Sequence, residues 1–236
     1  MFVYLALEIC TVLIPLIYSY DRKLQFYVKI KSVAISLFFV GAFYIAGDIL
    51  FTNYGIWGFN PKYHSGIIFF NLPVEEWLFF IVIPYASIFL HDTLVYLFPN
   101  TKLSSGYTKI ISILLVILLI LTVIININKA YTAIYLIVAL IAILFASFNK
   151  TQILNRFYIT FLIILVPFFL VNSVLTGSFI AEPVVWYNNS ENLGIRIFTV
   201  PVEDISYAFS LILFNIVLTN KLVIFFEVKS LKNKLL

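Results

Sequence analysis

Long apolar stretches recur along this chain, separated by short polar or aromatic segments. A helix of about 20 apolar residues is long enough to cross the hydrocarbon layer of a membrane. The pattern predicts seven such helices: Phe2–Tyr20, Ile30–Thr52, Val74–Phe98, Lys109–Ile127, Ala130–Phe148, Phe157–Phe179 and Val202–Ile224. The fourth and fifth are separated only by Asn126, Asn128 and Lys129, but the combined stretch is too long for one span. We therefore expect an all-α, polytopic membrane protein with about seven transmembrane helices.

One sequence motif occurs twice, at an offset of 128 residues. Gly66–Glu75 and Gly194–Glu203 are identical at six of ten positions, and Glu76 and Asp204 follow them. By this offset, spans one to three correspond in sequence to spans five to seven, and corresponding spans cross the membrane in the same direction. This indicates a parallel 3+1+3 tandem repeat. The predicted domains are a first repeat (1–99), a linker with the fourth helix (100–128) and a second repeat (129–236).

Composition excludes several classes of protein. Of 236 residues, 63% are hydrophobic and 11% are charged, against roughly 25% charged in soluble domains. The mean hydropathy is +1.07, so too few polar residues remain to cover a soluble fold. One Cys excludes a disulfide framework and any cysteine-based metal site. No G-x-G-x-x-G fingerprint occurs, and we expect neither a cofactor nor a metal.

The net charge of +4 reflects membrane topology rather than nucleic-acid binding. Three of the fifteen Lys and Arg residues lie on one side of the predicted spans: Lys62, Lys129 and Arg196. The other twelve lie on the opposite side: Arg22, Lys23, Lys29, Lys31, Lys102, Lys109, Lys150, Arg156, Lys221, Lys229, Lys232 and Lys234. Positive charge marks the cytoplasmic side. We therefore expect a protein of the cell (cytoplasmic) membrane, with its N-terminus outside, its C-terminus cytoplasmic and lipids around it.

Each motif copy places two acids between a proline and an apolar helix: Glu75 with Glu76, and Glu203 with Asp204. Acids in a first helical turn complement the helix dipole, and that explanation needs no chemistry. However, these acids come in adjacent pairs among aromatic residues, and buried intramembrane acids are candidates for function. A pair in unequal surroundings can provide one proton donor and one acceptor. Which member carries the proton is left open by the sequence.

Two aromatic segments precede the motif copies, TNYGIWGFNPKYHS and GSFIAEPVVWYNNSEN. They are too polar to span a membrane, so we expect caps over the helix bundle, with Trp57 and Trp186 at the level of the lipid headgroups. Further candidates are Asp48 in span two and Asn172 in span six. For Asn172, pocket lining and simple packing remain equal alternatives. His91 in span three is expected to make a helix–helix hydrogen bond.

These residues together resemble the small integral-membrane lycopene cyclases, which occur as heterodimeric subunits or as fused tandem repeats. The resemblance rests on Pro73–Glu76 followed by Phe79-Phe80, and on Pro201–Asp204. It is supported by Asp48, Gly55–Trp57, Asn172–Gly177 and Pro183–Val185. The second copy departs from the pattern, with Asp204 in place of Glu and with Ser206 and Tyr207 in place of an aromatic run. One site or two, and one ring or two, therefore remain open.

The resemblance implies carotenoid biosynthesis, in which lycopene or another linear carotene is cyclised by an isomerase or intramolecular lyase without a redox cofactor. A carboxylic acid protonates an end group, a carbocation closes the ring, and loss of a proton gives a β-ring, as in γ- and β-carotene. The implied catalytic residues are Glu75 and Glu203 as principal acids, with Glu76 and Asp204 as their partners. The implied substrate-binding residues are Asp48, Trp57, Phe79, Asn172, Trp186 and Tyr207. Other carotenoid enzymes or a second copy of the chain are candidate partners.

Three alternatives remain to be weighed. A small-solute transporter can share the 3+1+3 plan, but it needs a polar path, and the inner halves of the spans carry little beyond His91 and Asp92. A retinal protein needs a lysine in span seven, and Val202–Thr219 has none. A non-catalytic membrane subunit would use the acids only as helix caps.

Overall fold

Seven α-helices account for most of the described chain, which comprises residues 2–148 and 152–234 of a computed structural model. Their bounds are α1 Val3–Tyr18, α2 Ile30–Asn53, α3 Val74–Leu97, α4 Ser105–Ile125, α5 Ala130–Ser147, α6 Leu154–Leu175 and α7 Glu203–Lys234. A 3₁₀ turn, Phe26–Lys29, precedes α2. Six helices are long and apolar enough to span a membrane, and α1 is shorter at 16 residues. The prediction of an all-α membrane protein is confirmed.

The three largest differences from the predicted helix ends lie in α6, α4 and α7, and the first two have a local cause. Helix α6 ends at Leu175 rather than Phe179, because Gly177 turns the chain at a φ of +117°. Helix α4 begins at Ser105, four residues early, because the Ser104 hydroxyl accepts a hydrogen bond from the Tyr107 amide. Helix α7 continues to Lys234, ten residues beyond the predicted end.

The helices of the two repeats interlock. Helix α1 packs on α3, and α5 packs on α7 in the same way. Each repeat's middle helix also contacts the other repeat, α2 against α7 and α6 against α3, while α4 packs on α5. The division at residues 99 and 128 stays a prediction. Lys150, one of the cations used to predict topology, lies outside the described residues, as do residues 1, 149, 151 and 235–236.

Six short strands follow the same repeat. Two hairpins precede the motif helices, β2 (Ile68–Phe69) with β3 (Leu72–Pro73), and β5 (Arg196–Ile197) with β6 (Val200–Pro201). The remaining strands, β1 (Trp57–Phe59) and β4 (Val185–Tyr187), pair with each other across the repeats. We call β1 and β4 the lid sheet. Its antiparallel register places Trp57 opposite Tyr187 and Gly58 opposite Trp186.

The lid sheet buries one of the two tryptophans predicted at headgroup level. Trp57 is only 5% exposed, and its ring stacks on that of Tyr187 with centroids 5.9 Å apart. The strand pairing turns this side chain into the protein rather than toward lipid, and its level in the membrane stays a prediction. Trp186 is 42% exposed, and its level in the membrane stays a prediction.

Candidate active site

The two motif copies begin their helices alike. Strand β3 ends at Pro73 and α3 starts at Val74, while β6 ends at Pro201 and α7 starts at Glu203. Both acids of each copy lie in the first helical turn, as predicted. All four are at least 95% buried, so their surroundings rather than solvent determine their chemistry.

The first acid of each copy fastens the helix to the loop before it. An oxygen of Glu75 accepts the Ser65 amide at 2.6 Å, and an oxygen of Glu203 accepts the Leu193 amide at 2.7 Å. Thr132 donates to the same Glu203 oxygen at 2.6 Å. The second oxygen of each is buried and has no hydrogen-bond partner among the described residues. These two glutamates therefore face the loops.

The second acid of each copy is held by tyrosines. The Tyr4 hydroxyl on α1 donates to Glu76 at 2.5 Å. Asp204 accepts hydrogen bonds from Tyr131 on α5 and, at 2.9 Å, from Tyr187 in the lid sheet. A hydroxyl donor to a carboxylate makes one of the stronger hydrogen bonds in proteins. The tyrosines consequently hold both carboxyl groups in defined positions.

Glu76 and Asp204 line one common pocket, which we call the central pocket. Its lining consists of Tyr4, Trp57, Glu76, Phe79, Ile83, Tyr131, Phe168, Asn172, Leu175, Thr176, Val185, Tyr187, Asp204, Tyr207, Ala208, Leu211 and Ile212. Neither Glu75 nor Glu203 belongs to this lining. The fold thus unites the two copies of the motif in one space, roofed by the lid sheet and walled by aromatic and aliphatic side chains.

Of the three tyrosines that donate to Glu76 and Asp204, Tyr187 is the one that lies in the lid sheet. Burial, and next the neighbouring Asp204 charge, raise the pKa of Tyr187 well above its usual range. Its hydroxyl therefore remains a proton-bearing donor to Asp204 at neutral pH. The Arg196 guanidinium lies 5.6 Å from the centre of the Tyr187 ring and adds a cation–π contact on the outer side.

A third carboxyl group stands behind the pocket wall. Asp48 on α2 accepts the hydroxyls of Tyr135 at 2.9 Å and Tyr207 at 3.1 Å, and it is fully buried. Tyr207 itself lines the pocket, whereas Asp48 does not. Asp48 therefore orients a pocket residue without lining the pocket. Glu8 on α1 is also buried, and neither of its carboxyl oxygens has a hydrogen-bond partner among the described residues.

The residues predicted to bind substrate divide into two groups. Trp57, Phe79, Asn172 and Tyr207 line the central pocket. Asp48 lies behind it, and Trp186 lies across Gly58 on the partly exposed side of the lid. Sequence reasoning missed Tyr4, Tyr131 and Tyr187, because fifteen tyrosines are spread over the chain without a marking pattern. For Tyr4 the repeat offered one signal. Its equivalent position in the second repeat is Thr132, and both side chains donate a hydrogen bond to a motif glutamate.

The carboxyl groups of Glu76 and Asp204 can bind and release protons. In the described part of the chain, no three His, Cys, Asp or Glu side chains are grouped so as to bind a metal ion. His91 lies apart, bonded to Thr160 of α6 at 2.7 Å, the predicted helix–helix hydrogen bond. What the pocket presents is two carboxyl groups among aromatic rings. Such a set can give and take a proton next to an apolar molecule.

Comparison with known proteins adds one match. A model of the family described as lycopene cyclase matches residues 1–94 and 128–222. Each matched segment contains one copy of the acid motif, so the match repeats the internal duplication. Searches of curated proteins and of solved structures gave no match.

Proposed function

Because this chain belongs to the lycopene cyclase family, we propose that it closes the linear ends of lycopene, or of another linear carotene, into β-rings. The observation that carries this proposal is the meeting of Glu76 and Asp204 in one apolar, aromatic pocket. Cyclisation of a hydrocarbon requires a proton donor, a proton acceptor and the exclusion of water, and this pocket contains candidates for each.

The proposed reaction is an isomerisation in which one proton enters and one leaves. A carboxylic acid delivers a proton to C2 of the end group, and the C1=C2 electron pair forms the new C–H bond. The tertiary cation at C1 is attacked by the C5=C6 double bond, which forms the C1–C6 bond and moves the cation to C5. A carboxylate then removes the proton from C6, restoring a C5=C6 double bond. No oxidant or reductant is consumed.

We assign proton donation to Glu76 and proton acceptance to Asp204. Tyr4 is the sole hydrogen-bond partner of the Glu76 carboxyl among the described residues, so one oxygen is left for the substrate. Asp204 receives two tyrosine hydroxyls, an arrangement that suits a negatively charged acceptor. This assignment differs from the sequence-based expectation that Glu75 and Glu203 are the principal acids. It follows from which carboxyl groups reach the pocket.

The aromatic walls supply the remaining requirement of the chemistry. The rings of Trp57, Phe79 and Tyr207 line the space in which positive charge would develop. An aromatic face attracts a cation without forming a bond to it, whereas water would add to the cation and end the reaction. Since no Lys or Arg of the described residues lines the pocket, none of their fixed positive charges lies beside the cation.

The experiment that tests this function is expression in a bacterium that accumulates lycopene, with chromatographic separation of the carotenes. We expect monocyclic or bicyclic carotenes with β-rings. Unchanged lycopene, with the full-length protein demonstrated in the membrane fraction, would contradict the proposal and favour transport or a non-catalytic role. Reporter fusions at the two termini test the proposed orientation, with the C-terminus in the cytoplasm.

A further inference from the structure

A second cavity adjoins the central pocket within the helix bundle. It is an apolar groove of about 430 Å³ between α1, α3 and α6, and we call it the α1–α3–α6 groove. Its lining consists of Leu7, Cys10, Thr11, Ile14, Pro15, Ile83, Ala86, Ser87, Phe89, Leu90, Ile164, Pro167, Phe168, Leu170, Val171, Asn172 and Ile212. The central pocket itself is narrow, at about 40 Å³.

The groove and the pocket share part of their lining. Ile83, Phe168, Asn172 and Ile212 line both spaces. The Asn172 side-chain nitrogen donates to the Phe168 carbonyl at 3.0 Å, so one of its donors is used inside its own helix. The other three shared residues are apolar.

The outer edge of the groove faces the surroundings of the bundle. Ile14 is 63% exposed and Leu170 is 69% exposed, and both belong to membrane-spanning or apolar helices. In a bilayer such side chains contact lipid tails. The groove therefore lies between the lipid phase and the pocket that contains Glu76 and Asp204.

Three residues of the groove have aromatic counterparts in the other repeat. At the repeat offset, Leu7 corresponds to Tyr135, Ala86 to Phe214 and Asn172 to Tyr44. Tyr135 and Tyr44 are at least 97% buried, and their rings stack with centroids 6.3 Å apart. The two repeats therefore differ in side-chain volume at these three positions.

We infer that the α1–α3–α6 groove is where the substrate's polyene chain enters and lies while one end group occupies the central pocket. This inference rests on the proposed function. A linear carotene is long, apolar and without a headgroup, which matches a largely apolar groove that adjoins the pocket of the two acids. A phospholipid tail is the competing occupant, and it would leave cyclisation independent of the groove.

The test is Ala86→Phe, which copies into the groove the residue that the second repeat carries at the equivalent position. Its control is Ala46→Phe, in another lipid-facing apolar groove between α2 and α3 that shares no lining residue with the central pocket. Each purified protein is reconstituted in phosphatidylcholine vesicles containing lycopene, and the initial rate of ring formation is measured. Bound lycopene is also quantified by absorbance after detergent purification, with each protein in the Glu76→Gln background so that turnover does not consume the substrate.

We expect Ala86→Phe to lower the rate about tenfold or more and to reduce bound lycopene, because displacement of a substrate by a side chain misplaces the reacting atoms. Ala46→Phe should match the wild type. The inference would be overturned if folded Ala86→Phe equalled the wild type in rate and in lycopene content. It would also be overturned if the variant lost only bound phospholipid. If Ala86→Phe does not fold, the smaller Ala86→Leu takes its place. Wild-type protein that binds lycopene in the groove without forming rings would instead refute the proposed function.

Discussion

Gly58 and Trp186 face each other at the centre of the lid sheet, and they are also equivalent positions of the two repeats. The repeat offset exchanges the two flanking pairs, since Trp57 pairs with Tyr187 while its equivalent, Val185, pairs with Phe59, the equivalent of Tyr187. An antiparallel pair has a local two-fold axis between opposed residues. Here that axis relates the repeats, and it places the two acid motifs on opposite sides of one pocket.

The first prediction concerns Gly58 itself. A Cβ at this position would lie 2.5 Å from a ring carbon of Trp186, so Gly58→Ala must displace the indole. We expect a loss of about 1–3 kcal/mol in stability, typical of forced overpacking. Thermal unfolding in detergent measures it. The double variant Gly58→Ala with Trp186→Ala should recover much of the loss, and no recovery would mean that the contact is not the cause.

The second prediction concerns the acids of the central pocket. Glu76→Gln and Asp204→Asn should each lower cyclisation about 100-fold or more, because a neutral amide can neither deliver nor accept the proton. Carotene products in the lycopene-accumulating host provide the readout. Glu227→Gln, on an exposed part of α7, is the matched control and should leave the products unchanged. Full activity in either pocket variant would remove that residue from the mechanism.

The third prediction separates the two acids within each copy. Glu75→Ala and Glu203→Ala should each cost about 1–3 kcal/mol in stability, because the loop amides of Ser65 and Leu193 lose a buried acceptor. The glutamine variants keep an acceptor oxygen and should retain most of the stability and activity. An inactive Glu75→Gln variant with an unchanged melting temperature would instead support the sequence-based assignment of Glu75 as a principal acid.

The fourth prediction concerns the tyrosines that hold the acids. Tyr4→Phe and Tyr131→Phe each remove one hydroxyl bonded to a pocket carboxyl group. We expect about a tenfold fall in cyclisation rate for each, the equivalent of losing roughly 1.4 kcal/mol of positioning. Tyr158→Phe is the control, since its hydroxyl bonds Ser112 at 2.7 Å outside the pocket. Equal effects of all three would indicate a general structural cost.

The fifth prediction concerns the order of products. If both rings form in the central pocket with the chain in the α1–α3–α6 groove, the substrate must leave and return with its other end foremost before a second ring can form. We expect free monocyclic carotene to appear before the bicyclic product in a time course. If the lycopene supplied is isotopically labelled, added unlabelled monocyclic carotene should also dilute the label in the bicyclic product. Bicyclic product without a free monocyclic stage would contradict a single site.

The sequence by itself determined the membrane class, the helices and the duplication. Apolar stretches of bilayer length, such as Ala130–Ser147, encode their own helices, because backbone groups in lipid must bond within the segment. The motif acids could be assigned to first helical turns because Pro73 and Pro201 are disfavoured inside a helix and tolerated at its start. These are local properties, and they can be read without knowing the neighbours.

Only the tertiary structure decided which acids meet. Glu75 and Glu76 are adjacent in the chain, yet one faces a loop amide and the other faces the central pocket, because successive residues of a helix point about 100° apart. The selection of Tyr4, Tyr131 and Tyr187 from fifteen tyrosines depends on contacts between distant segments. The opening beside α6 likewise depends on side-chain volumes in three helices, which no single stretch of sequence contains.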